Sequence, residues 1–154
     1  MAEKGFDTVA GSKLYISTAA PTVTEGAGAP AAFALLTWVE VGQLTSIGSV
    51  VGREYATSSS TTIGDAQTRE KKGSFKLPNA EFECEWAEDD AGQILIAAAS
   101  KNYSSPSFKL IKQDTETTRY FTAQVSKFVE NNGTSDDAVK GQFTLLRQTD
   151  TVTA

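Results

Sequence analysis

The chain has 154 residues, 40% hydrophobic and 21% charged, which suits one domain with its own core. Its 19 acidic and 14 basic residues leave a formal charge of −5, so it lacks the basic footprint that grips nucleic-acid phosphates. It has no histidine and a single cysteine, Cys84. That excludes an internal disulfide, histidine-based nucleophilic sites and nearly every zinc site.

No stretch approaches the roughly 18 apolar residues of a membrane-crossing helix, so no membrane insertion is expected. The opening Met1 to Asp7 has no signal-peptide pattern, which places the start of the protein's life in a cytoplasm. Residues 1–12 are polar and read as an N-terminal arm. Lys13 to Ser17 is a short strand with Leu14 and Ile16 on one face. Residues 18–34, with Gly26-Ala27-Gly28-Ala29-Pro30, read as a long surface loop. Residues 37–42 and 44–51 are strand-like, carrying Trp38, Val39, Val41, Ile47 and Val51.

Residues 53–74 are different. The hydroxyl run Ser58 to Thr62, the turn signal Gly64-Asp65 and the polar 66–74 have almost nothing to bury. They predict a long hairpin that projects about 30 Å from its own core. Residues 81–86 then alternate strictly, with Phe82, Cys84 and Trp86 on one face and Glu81, Glu83 and Glu85 on the other. Residues 89–101 predict a helix, capped by Asp90 with Gln93 as capping-box partner. Three further strands fall at 107–112, 117–129 and 138–148. In the second, Phe121, Ala123, Val125 and Val129 share a face; in the third, Val139, Phe143 and Leu145 do. Asn131 to Asp137 is the hairpin loop between them. The whole reads as one mainly β domain over 1–154, about seven strands in a β-sandwich or barrel with one flanking α-helix.

The inventory of chemistry is short. Glu81, Glu83 and Glu85 stand roughly 7 Å apart along a strand, which could suit glycoside hydrolysis, but a solvated face balanced by Lys71, Lys72 or Lys76 is the simpler reading. Cys84 between Phe82 and Trp86 reads as a buried thiol with no base to activate it. The Gly26 to Pro30 stretch lacks phosphate-loop spacing. Asn102-Tyr103-Ser104 and Asn132-Gly133-Thr134 are chance glycosylation triplets, and Asp89-Asp90 and Asp136-Asp137 could bind a cation only weakly. No catalytic, cofactor-binding or metal residue is expected. What remains unusual is an arm, a projecting hairpin and an acidic strand face, features that serve assembly through strand addition.

In this order of features the chain resembles the major tail tube proteins of long-tailed, non-contractile bacteriophages. The resemblance covers most of residues 13–150. It lies in Thr37-Trp38-Val39-Glu40-Val41-Gly42 leading to Leu44-Thr45-Ser46-Ile47-Gly48, in Thr61-Thr62-Ile63-Gly64-Asp65 within the hairpin, in the helix, and in Tyr120 to Phe128 with the closing strand Gly141 to Gln148. It implies a β-sandwich flanked by a helix, six copies closing into a ring, and rings stacking into a virion tail tube assembled in the host bacterial cytoplasm. Implied partners are further copies of the chain, a tape-measure protein, tail terminator and tail-tip proteins. Double-stranded DNA passes through the lumen without sticking. The arm and hairpin would bridge subunits, through Phe6, Asp7, Arg53, Tyr55, Thr61, Thr62, Asp65, Arg69, Lys71 and Lys72, with loop 18–34 as another contact. Glu40, Glu54, Asp65 and Glu70 would face the lumen. Six subunits at −5 give a ring about −30 in charge, which repels phosphates. The alternatives are a tail-tip or neck ring protein of the same fold, a ligand- or carbohydrate-binding β-sandwich, and a carboxylate-only enzyme.

Overall fold

The computed structural model describes residues 9–113 and 117–154, with Asp65 described by its backbone. Among these residues are ten strands and two helices. In chain order they are β1 (Lys13–Ser17), α1 (Ala29–Ala34), β2 (Val39–Val41), β3 (Leu44–Ser46), β4 (Glu54–Thr62), β5 (Asp65–Lys76) and β6 (Ala80–Glu85). Then follow α2 (Ala91–Ala99), β7 (Ser107–Ile111), β8 (Thr118–Asn131), β9 (Lys140–Arg147) and β10 (Val152–Thr153). No helix is long and apolar enough to cross a membrane.

Eight strands form one antiparallel path, β2-β1-β7-β8-β9-β6-β3, with β10 added on β8. The long β8 joins two layers. Its first part pairs with β7, and its part from Ala123 onward pairs with β9. Leu14 and Ile16, Phe108 and Leu110, Phe121, Ala123 and Val125, Phe82 and Cys84, Phe143 and Leu145 all point into the space between the layers and are buried. Alternation along each strand is therefore sufficient to build the core. Phe82 stacks on Phe143 at 5.1 Å and Phe108 on Phe121 at 5.5 Å.

The strand β2 begins the path and β3 ends it, yet only Gly42 and Gln43 separate them in the chain. That short corner brings both ends of the path together and curls the sheet. Gln43 turns it with φ 63 and accepts a hydrogen bond from the Glu85 amide at 2.8 Å. The helix α2 is pinned onto the same corner. The Asp90 carboxylate caps the helix by accepting from the Gln93 amide at 3.0 Å, and the same oxygen accepts from the Gly42 amide at 3.2 Å. The buried Gln93 side chain donates to the Gly42 and Glu85 carbonyls and accepts from the Ala87 amide. Gln93 thus serves the corner, and the reciprocal half of the expected capping box is replaced by this network.

Several sequence expectations change. The loop 18–34 ends in the helix α1, which Pro30 starts by presetting φ in the first turn. Phe33 of α1 stacks on Tyr120 at 5.2 Å, on the outer face of the sheet. The described residues thus hold two helices where the sequence predicts one. The strand expected at 44–51 ends at Ser46, and beyond it the chain still runs close to β6, where a Cβ on Gly48 would lie 2.3 Å from the Glu81 carbonyl oxygen. Both tryptophans lie outside the main core cluster. Trp38 packs beside Phe33 and Tyr120, and Trp86 lies half-buried against Phe128. A register shift between Val125 and Lys127 inserts Ser126 as an extra residue and exchanges the faces of β8. Phe128 therefore turns inward and Val129 is exposed, the reverse of the sequence expectation. Val139 precedes β9 and is exposed as well.

The close approach of α2 to β2 sets a test. A Cβ on Gly92 would sit 2.4 Å from the Glu40 carbonyl oxygen. Alanine at this helical position gains about 1 kcal/mol of propensity, while the clash is with backbone that cannot swing aside. Overpacking of this kind costs about 1–3 kcal/mol. Gly92→Ala should lower the urea midpoint of unfolding, whereas a change made by propensity alone would raise it.

Candidate assembly interface

The strands β4 and β5 pair only with each other. Every residue of β4 is exposed, and nine residues at about 3.3 Å each give a ribbon roughly 30 Å long. This is the projecting hairpin that the hydroxyl run predicts, with its second strand continuing to Lys76 at the root. Ile63 and Gly64 lie between the paired Thr62 and Asp65 and form the tip, where Ile63 is fully exposed, at 108%.

Ribbon faces follow from the register. Tyr55 pairs with Phe75, Thr57 with Lys72 and Ser59 with Glu70. On this face Arg53 lies over the Phe75 ring at 4.5 Å and Lys72 over the Tyr55 ring at 4.7 Å. Thr61 and Thr68 share a hydroxyl hydrogen bond of 2.7 Å. The opposite face carries Glu54 across from Lys76, Ser58 from Lys71 and Ser60 from Arg69. Among the residues expected to contact other subunits, Arg53, Tyr55, Thr61, Thr62, Arg69, Lys71 and Lys72 are thus brought together on one ribbon, on two faces. Phe6 and Asp7 lie outside the described residues, and the side chain of Asp65 does too. The expected lumen carboxylates divide: Glu54 and Glu70 point to opposite faces of the ribbon, and Glu40 is exposed on β2 in the body.

The ribbon is fixed at its root by a polar latch. Arg53 donates to Asp150 through both Nε, at 2.6 Å, and Nη2. Behind it the Arg147 side chain is wholly buried. Arg147 donates to the Gly52 carbonyl at 3.1 Å and to Thr151 Oγ1 at 3.0 Å, and lies 3.8 Å from Asp150. Thr151 in turn donates to the Val50 carbonyl. Burial pulls the Arg147 pKa down, and Asp150 opposes that shift. Sequence reading misses this latch because Arg147 and Asp150 lie almost a hundred residues from Arg53, and only the fold joins them. Phe75 and Ile63 were legible as apolar residues inside polar runs but carry no motif.

The acidic strand face is open to solvent at Glu81 and Glu85, while Glu83 is half-buried. Glu83 pairs with Lys140 at 3.3 Å and accepts from Gln142 at 3.4 Å. The balancing cation comes from β9, the cross-strand neighbour, and not from Lys71, Lys72 or Lys76, which belong to the ribbon. A depression of about 440 Å³ on this face is lined by Glu81, Glu83, Lys127, Gln142 and Thr144 among others. Glu83 is thus tied to its neighbours, while Glu81 and Glu85 remain the open carboxylates of this face. Cys84 is buried, and burial pushes its thiol up to about 11, away from nucleophile chemistry. No cluster of three or more metal-ligating side chains occurs among the described residues.

The latch gives a contrast that magnitudes decide. Asp150→Ala removes the carboxylate shared by two guanidinium groups, one of them buried, and should cost about 1–3 kcal/mol. It should also speed amide exchange at residues 50–56. Lys76→Ala removes an exposed pair, 3.8 Å from Glu54, and should cost less than about 1 kcal/mol. Equal effects in urea unfolding would remove the latch from the account.

No protein-family model matches the sequence, and no curated protein matches it. Solved structures do match in fold. A chain in the sheath/tube terminator of an extracellular contractile injection system, PVC, in its extended state, aligns with TM-score 0.65 and 9% identity over 99% of both chains. A chain in the six-fold symmetrised baseplate of the anti-feeding prophage aligns with TM-score 0.66 and 7% identity, over 100% of this chain and 97% of that one. A chain in the extended PVC sheath–tube complex aligns with TM-score 0.64 and 9% identity, over 99% and 93%. The fold of this chain, a curled antiparallel sheet with a pinned helix, is a tail-tube-like fold.

Proposed function

We propose that this chain is a structural subunit of a phage-type tail tube that assembles with copies of itself into stacked rings around a channel. The observation that carries the reading is the ribbon. It orders 21 residues in β4 and β5 with no body of their own to cover them. An isolated two-stranded ribbon is marginal in water, and among the described residues neither strand of this one pairs with a third strand. A neighbouring copy supplies what is missing, by strand addition and by covering the Tyr55–Phe75 pair. The tail-tube-like fold supports the same reading.

Charge distribution sharpens the proposal. Residues 53–76 hold five basic and three acidic residues, a surplus of two positive charges, so the rest of the chain carries −7 of the total −5. The ribbon is then suited to lie against acidic surface of other copies. A phosphate-repelling lumen for double-stranded DNA draws on body carboxylates such as Glu40, joined by whichever of Glu54 and Glu70 the inward ribbon face presents. A tape-measure protein inside the tube, and terminator and tail-tip proteins at its ends, are the further partners of this reading. The arm 1–12 with Phe6 and Asp7 would add contacts between rings, and Asp65 would act at the ribbon tip.

A second reading is a single-ring component at the end of a tube. The likeness to chains from terminator and baseplate structures favours it. Negative-stain electron microscopy across concentration and ionic strength separates the two. Stacked rings with a central hole are expected for the tube subunit, discrete rings for the end component, and a monomer under every condition would refute both. Replacing residues 55–75 by Gly-Gly joins Glu54 to its cross-strand partner Lys76 and spares the latch. This variant should fold with a near-native melting curve and fail to assemble. In the intact monomer, amides of 53–74 should exchange fast and become protected in tubes; equal protection in both states would count against the ribbon as an interface.

A further inference from the structure

The ribbon has an apolar plug at one end and an apolar socket at the other. At the tip, Ile63 is fully exposed, and its neighbour Asp65 supplies the negative charge nearest that end. At the root, residues 47–51 lead into β4 and line a depression of about 260 Å³. Its apolar wall is Ile47, Val50, Val51, Leu110 and Val9, and Lys112 and Arg119 line it as well. Val51 is half-exposed there, at 49%. Arg119 spends Nη1 on Thr153 at 3.2 Å, and its Nε is buried with no hydrogen-bond partner among the described residues. The socket therefore combines apolar wall with two cations, one of which retains an unused donor. The tip combines an aliphatic side chain with an anion. An exposed aliphatic tip and a partly apolar depression complement each other, as do an acidic tip and a depression lined by two cations.

We infer that the Ile63 tip of one copy docks in the root depression of a second copy, which brings the acidic position 65 to the depression that Lys112 and Arg119 line. The tip cannot reach the root of its own chain, since roughly 30 Å of paired ribbon separates them. The contact joins two different surfaces, so it is heterologous: it closes into a ring if the rotation between copies closes, and runs on from copy to copy if it does not. A tube needs a contact of that type along its axis. The inference rests on the self-assembly proposed above and names the surface on which the ribbon ends.

Chemical cross-linking tests it in the full-length protein. Cys84 is buried and stays silent toward a thiol reagent while the chain is folded. One preparation carries Ile63→Cys and another Val51→Cys, each at a solvent-exposed position, so folding is not at stake. Mixed under assembling conditions with a short bismaleimide, they should give a cross-linked dimer that neither gives with a Leu35→Cys partner, an exposed control elsewhere on the body. Ile63→Ser should raise the concentration needed for assembly at least about tenfold. Tubes that form with no link between positions 63 and 51, or with equal linking to position 35, overturn the inference and leave self-assembly standing. A link from Phe6→Cys to Val51→Cys in place of the tip also overturns it, because the arm is then the occupant. Failure of the unmodified chain to assemble under any condition overturns both.

Discussion

The fold depends on how the two ends of one sheet path are brought together, and that is the work of the Gly42–Gln43 corner. Strands β2 and β3 are each three residues long and could not hold the path's ends by themselves. The pinning comes from α2, whose capping carboxylate Asp90 serves the corner and the helix with one oxygen, and from Gln93, which meets three backbone groups. Buried polar side chains are costly unless satisfied, and specific when they are. Once the corner is held, β6 and β1 face each other across the core, and Phe82, Phe143, Phe108 and Phe121 have one arrangement in which to stack.

That closed body explains why the ribbon can be so different from it. Core residues are drawn from β1 and β6 to β9, from α2 and from residues flanking the corner, and none from β4 or β5. The ribbon contributes no apolar residue to folding and is free to be hydroxyl-rich, charged and long. It meets the body through the latch of Arg53, Asp150, Arg147 and Thr151, which sets its exit from the root without tying down its length. Folding and assembly are in this way assigned to separate parts of one chain, with the latch as the joint.

Much of this was legible in the sequence, for identifiable reasons. Period-two alternation marks β6, and the turn chemistry at Gly64-Asp65 between runs with nothing to bury marks the ribbon. Asp90 and Gln93 mark the start of α2. What escaped reading is what local pattern does not encode. The Ser126 bulge shifts register by one residue and so exchanges Phe128 and Val129, and no composition signal precedes it. The helix α1 is too short for periodicity to announce and exists because Phe33 has Tyr120 to stack on. Glu83 finds Lys140, and Arg53 finds Asp150, only once the strands are paired. Glu54 and Glu70 both read as candidates for one wall, and the ribbon's register sends them to opposite sides.

A ribbon with two open edges has a cost before any partner arrives. Unpaired strands recruit one another, and a cell making many copies at once holds a concentrated pool of such edges. The composition of β4 and β5 answers that hazard. Serine and threonine keep one strand hydrated, Lys71, Lys72 and Arg69 place like charges along the other, and Gly73 sits where the register slips near the root. Random edge-to-edge pairing would bring those cations against their own kind. The same residues that leave the lone subunit without a use for its ribbon allow it to wait in solution, so that growth is directed by a growing end and not by chance encounter.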